Sequence, residues 1–180
     1  MSGPFATAAE FCEFTGMSEP SNLARLQSHL ELASALVRSE TGQTLSEVQG
    51  DSAIFLPVVS NTLFLPQRPV TTVTSVLEPG SVPVPFSFNT SRVWRTDTNG
   101  LFDLGATVTY SHGYTETSEE FKVVKLIVIE AAARAFTLNE RSSSEAMGST
   151  LMESAGYAPE VFLTQGEKNM LNAYTLMGVG

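Results

Sequence analysis

The apolar positions of this chain change period twice, from a helical spacing to an alternating one and back. Near the start, Thr7-Ala-Ala-Glu10 places a hydroxyl ahead of a carboxylate in the pattern of a capping box. It predicts a short helix with Phe11 and Phe14 on one face, stopped at Gly16. Glu19-Pro20 predicts the opening of a second helix. Leu23, Leu26, Leu30, Ala33 and Val37 recur there at helical spacing, Leu36 widens the stripe, and Gly42 ends it. His29 falls mostly off the stripe and reads as a surface residue.

From about Asp51 the pattern becomes that of strands. "AIFLP", "NTLFLP", "PVTTVTSVLEPG", "VPFSFN", "RVWRT" and "TVTYS" are rich in β-branched and aromatic residues, with Pro, Gly and Asn among them and at their borders. In the third, Val70, Thr72, Thr74 and Val76 alternate with Thr71, Val73, Ser75 and Leu77, which predicts a strand partly covered on both faces. Asp97-Thr-Asn-Gly100 predicts a hairpin turn, since Asn-Gly tolerates positive φ.

Helical spacing returns after Thr117-Ser-Glu-Glu120, a second capping-box pattern. The helix over 121–139 is apolar nearly all round, through Val124, Ile127, Val128, Ala131 and Ala135 on one face and Leu126, Ile129, Ala132, Ala133 and Phe136 beside them. Such a helix is buried on several sides, in a bundle or an oligomer. The Ser-rich stretch from Arg141 to Tyr157 reads as a loop with an extended piece near Ser149 to Met152. Thr164-Gln-Gly-Glu167 is a third capping-box pattern, and a short helix carrying Met170, Leu171, Tyr174 and Met177 follows. The order predicts an α+β fold, a small helical bundle with an inserted antiparallel β-region. A single domain is expected over 1–180, helical at 5–42 and 118–139, β at about 51–112, with a C-terminal arm and helix at 140–180.

Composition narrows the function more than the fold. A chain of 180 residues needs no metal or disulfide staple for its core. Its net charge of −9 argues against adhesion to nucleic acid, because phosphate binding depends on Lys and Arg. It is compatible with DNA as passing cargo, since an acidic wall repels phosphate. Cys12 stands alone and reads as a small buried apolar residue of the first helix. The N-terminus lacks the basic start and apolar run of a signal peptide, and no stretch is long enough for a bilayer span, so a soluble intracellular protein is expected.

Candidate chemistry is sparse. There is no phosphate-binding glycine loop, no nucleophile elbow and no H-E-x-x-H. Two histidines and one cysteine do not make a usual structural zinc site. Asp97 to Gly100 lacks the spacing and closing Glu of a calcium loop. His112, in "YSHGYTETSEEF", is the one candidate for catalysis, and its bland reading is a hydrogen-bonded corner between strand and helix. Glu119 and Glu120 are explained by the dipole of the helix they open. No catalytic, cofactor-binding or metal residues are assigned. The residues themselves lead to an interaction protein that works in an oligomer.

Several ordered pieces carry a family resemblance: "TAAEFCEFTG", "ASALVRSETG", "LFLPQRPVTTVTSV", "NGLF", and "YSHGY" followed by a capped apolar helix. Together, from about Thr7 to Phe136, they resemble the head-to-tail adaptor (head-tail connector) proteins of long-tailed bacteriophages. The family often has a proline just before the long helix, where this chain has Ser118-Glu119. The resemblance implies a structural virion protein that forms a dodecameric ring under the portal vertex, extends the DNA channel and joins head to tail. It implies the portal protein and a downstream neck or tail protein as partners, DNA as cargo, no membrane, no cofactor and no catalysis. The expected location is the virion neck, with assembly in the host cytoplasm. In that light Leu171, Tyr174 and Met177 are expected to help grip the portal. The alternatives are a stopper or tail terminator, which would be mostly β, and a small hydrolase using His112.

Overall fold

A computed structural model describes residues 3–18, 20, 22–98, 100–145 and 161–175, those at 138–145 through their backbone alone. The expected extended piece at Ser149 to Met152 lies outside the described residues. The chain forms two compact units: one of Met1–Gly42 with Lys122–Met177, the other built on Gln43–Phe121. The fold is α+β, with helices before and after antiparallel sheets.

The helical unit begins with α1, Ala8–Thr15. Its capping box forms: the Glu10 amide donates to the Thr7 hydroxyl (3.2 Å) and the Thr7 amide to the Glu10 carboxylate (2.7 Å). Phe11 is buried and meets Phe136 edge-on at 6.0 Å. Phe14, expected on the same face, is exposed. Three residues leave it about 60° round the helix from Phe11, and α1 turns only a narrow line inward. Next comes α2, Leu23–Thr41, which starts later than Glu19-Pro20 predicts. The reason is Asn22, whose side chain accepts from the Arg25 amide (3.1 Å) and so satisfies an orphan donor of the first turn. Leu26, Leu30, Ala33 and Val37 are buried as the stripe requires, Leu36 is half-buried, and Leu23 in the fraying first turn is exposed. Ser34 is buried too, its hydroxyl donating to Leu30 O (2.7 Å) and accepting from the Phe5 amide (2.9 Å).

The longest helix is α3, Glu119–Glu145. Its cap is Ser118, which accepts from the Phe121 amide (3.2 Å), rather than Thr117. Val124, Ile127, Val128, Ile129, Ala131, Ala132, Ala135 and Phe136 are all buried, so the helix is apolar around most of its girth for a reason. It reaches beyond 139 into the stretch expected as loop, because no Gly or Pro interrupts before Gly148. His29 is not a free surface residue. It is half-buried, its Nδ1 lies 2.7 Å from Arg25 O, and its ring meets Phe136 edge-on. The last helix, α4, spans Gln165–Leu171 behind a complete Thr164–Glu167 capping box and passes into a 3₁₀ turn at Asn172–Tyr174.

The β unit contains β1 (Val48–Phe55), β2 (Thr62–Phe64), β3 (Val70–Glu78), β4 (Val82–Pro83), β5 (Phe86–Phe88), β6 (Arg92–Arg95) and β7 (Ala106–His112). One sheet has the order β1-β7-β3-β4 and the other β2-β6-β5, every pair antiparallel. Leu63, Val73, Val76, Val93, Phe102, Val108 and Tyr110 belong to their common core. Strand β3 departs from the expected alternation: Val70, Val73 and Val76 are the buried residues. Register shifts between Val70 and Thr72 and between Val73 and Ser75 insert extra residues, so every third side chain turns inward. The Asp97–Gly100 turn is closed by the Gly100 amide on Asp97 O (3.3 Å), but it is not a hairpin. It connects β6 to β7, which belong to different sheets.

Candidate functional site

The first candidate is the corner at His112. Strand β7 alternates strictly, with Ala106, Val108, Tyr110 and His112 facing inward. His112 is 1% exposed, and its Nε2 lies 3.1 Å from the Asp51 carboxylate on β1. The Tyr110 ring lies 5.3 Å away at a tilt of 37°. Burial pushes the Tyr110 hydroxyl up to about 12, the Asp51 charge adding to the shift and the Gln67 backbone opposing it. The other ring nitrogen, Nδ1, is buried and has no hydrogen-bond partner among the described residues. A catalytic imidazole in a triad presents its second nitrogen to a nucleophile and a substrate. Among the described residues no hydroxyl or thiol is hydrogen-bonded to that nitrogen, and the ring ties β7 to β1 through Asp51. Beside it Gly113 has φ +92, and a Cβ there would stand 2.7 Å from Ser46 C and 3.0 Å from Glu47 N. The corner therefore needs glycine twice over, for its dihedral and for the close approach of backbone.

The second candidate is the C-terminal helix. Leu171 is fully buried, Tyr174 is half-buried, and Met177 lies outside the described residues. Among the described residues, the large apolar side chains this segment exposes are Phe162 and Met170. Helix α4 is pinned to α3 by Arg134, whose two terminal nitrogens each lie 2.9 Å from a Glu167 oxygen and one of which also donates to Phe162 O (2.9 Å). Burial alone would raise the Glu167 pKa, but the Arg134 bonds and the Thr164 amide and hydroxyl outweigh it and hold the carboxyl below its usual range. Glu10 is held down likewise, against burial, by Lys125 at 2.6 Å and by Thr7.

A third feature was not singled out by sequence reasoning. The segments 54–59 and 101–104 run side by side: the Val58 amide donates to Phe102 O and the Phe102 amide to Ser60 O, each at 2.8 Å. Gly105, with φ +82, comes so close that a Cβ would stand 2.7 Å from Phe55 O. On this ordered backbone Ile54 is 81%, Leu56 82%, Val59 84% and Leu104 62% exposed, with Leu101 and Val58 exposed beside them. The second segment is fixed from behind by Arg95, which pairs with Glu78 and Asp97 and donates to Leu101 O (2.8 Å). The signal was the unbroken run Ala53-Ile-Phe-Leu-Pro-Val-Val59, which reads equally well as a buried strand. Among the described residues no group of His, Cys, Asp and Glu could hold a metal ion, and no helix is long and apolar enough to cross a membrane.

No family model matches the sequence, and no curated protein matches it. Solved structures do match in three dimensions. A chain of the virion of a native gene transfer agent particle superposes with a TM-score of 0.58 at 15% identity, over 99% of this chain and 94% of that one. Chains from the neck of an empty gene transfer agent particle computed with C6 symmetry and of a native one computed with C12 symmetry give TM-scores of 0.56 and 0.55, at the same identity and coverage. What is shared is the fold. It is shared end to end, both units included, rather than over one sheet or one helix pair.

Proposed function

We propose that the chain is a structural protein of the neck of a phage-like particle, and within the neck the adaptor that rings the portal vertex. The observation that carries this reading is the end-to-end likeness to chains of gene transfer agent particles, two of them from necks. The adaptor role, rather than a stopper or tail terminator, is favoured by the helical frame of α1 to α4, because a mostly β chain would be expected of the other two. A ring of twelve copies is in keeping with the C12 symmetry of one matching neck. The portal protein and a downstream neck or tail protein are the partners of this reading. DNA passes as cargo, and the net charge of −9 supplies a lining that repels phosphate. The ring sits at the head–tail interface of the virion after assembly in the host cytoplasm.

The portal grip belongs to the segment of α4. Leu171 anchors the helix inward, while Tyr174, Met177 and the exposed Met170 supply the contact. The direct test is to mix the purified chain with its cognate portal protein and follow both by size-exclusion chromatography. Comigration in one large species is expected. Separate elution at every ratio, or binding to tail-end proteins alone, contradicts the adaptor role.

A further inference from the structure

The apolar tip formed by 54–59 and 101–104 is unusual for this chain. Asp103 is the one charge in those two segments, while the chain as a whole carries −9. Ile54, Leu56, Val59 and Leu104 are largely exposed there, with Val58 and Leu101 beside them. Contiguous exposed apolar surface of this kind marks a protein–protein contact. The backbone beneath is held by the bonds of Val58, Phe102 and Ser60, so a partner would meet an ordered surface and lose little entropy in binding it. Strand β1 adds to the case. It is an edge strand, and past its bulge it pairs regularly with β7 from Asp51 to Phe55. Over Ser52–Phe55 it bears none of the charges or prolines that blunt a free edge.

The same chain carries a receptacle of matching chemistry. Among the described residues Ala8, Ala9, Cys12 and Leu23, none of them charged, line a groove of about 310 Å³ between α1 and the start of α2. That is ample for an aliphatic side chain, since about 150 Å³ holds benzene. Copies at −9 repel one another, so contact between them is least opposed where both surfaces are uncharged. We infer that the Ile54–Val59 tip of one copy seats in the Ala8–Leu23 groove of the next copy. Two different patches meeting in this way make a heterologous contact, which closes into a ring when the rotation allows. The inference deepens the ring reading proposed above and rests on it.

The groove supplies its own probe. Leu56→Cys in the full chain places a thiol on the tip, and the native Cys12 thiol lines the groove. A short bismaleimide is added to the variant alone at high concentration and to the variant with portal. Expected is a ladder of covalent multimers in at least one condition, lost when Cys12→Ala is added; Val59→Cys gives the same ladder. No cross-link in either condition overturns the inference, as do dimers that persist with Cys12→Ala, which mean a two-fold contact of tip with tip. The two readings fail separately. Rings on the portal without the Cys12-dependent ladder sink the tip and groove alone. The ladder without portal binding sinks the neck role and leaves the contact between copies standing.

Discussion

Gly113 and His112 sit side by side and are used in opposite ways. Histidine is there for what it bonds, glycine for what it lacks. Replacing Gly113 by Ala forces a β-carbon onto the backbone of Ser46 and Glu47 at a φ of +92. Stability is expected to fall by at least about 2 kcal/mol, measured by denaturant unfolding. An unchanged midpoint would show that the corner relaxes. His112→Asn removes the bond to Asp51 from a buried site and is expected to cost about 1–2 kcal/mol without altering any assembly step. At Glu167 and Glu10 the folded pKa lies below the usual carboxyl value of 4.5. Their stabilisation is therefore complete above that value and is lost as pH falls through the lower, folded pKa. Acid unfolding should follow, and Glu167→Gln should flatten the acid limb while lowering stability at neutral pH. An acid limb unchanged by the substitution would remove Glu167 from the account. The residue scale also shows what one chain cannot declare about itself. Whether His112 was buried depended on β7 extending one residue past Ser111, which alternation allows but does not require.

At the scale of elements, periodicity was informative where a single line of side chains decides burial. Leu26, Leu30, Ala33 and Val37 on α2, and the broad apolar girth of α3, were legible for that reason. Strand β3 was not, because bulges depend on the partner strand and leave no mark in the strand itself. Caps were legible where hydroxyl and carboxylate both serve, at Thr7 and Thr164, and misplaced where a lone Ser118 or Asn22 does the work. The apolar tip escaped because the run from Ala53 to Val59 has the pattern of a buried strand, and periodicity alone does not reveal exposure. Helix α4 yields a prediction of its own. Met170→Glu, at an exposed position, should leave folding intact and weaken portal binding at least tenfold, measured by titration with purified portal. Truncation after Tyr157 should abolish that binding. Full affinity in both variants would move the grip elsewhere in the chain.

For the whole molecule, the central claim is that a fold shared with chains of gene transfer agent necks does the work of a neck ring here. Two units, one helical and one β, carry the features involved: a groove whose described lining residues are uncharged, an apolar tip, a pinned C-terminal helix and an acidic net charge. Each makes sense as a surface for assembly. Electron microscopy of the purified chain mixed with its portal protein tests this most directly. The account predicts a second ring of twelve copies stacked on the portal, coaxial with its channel. Portal rings that stay bare at saturating chain concentration would contradict it.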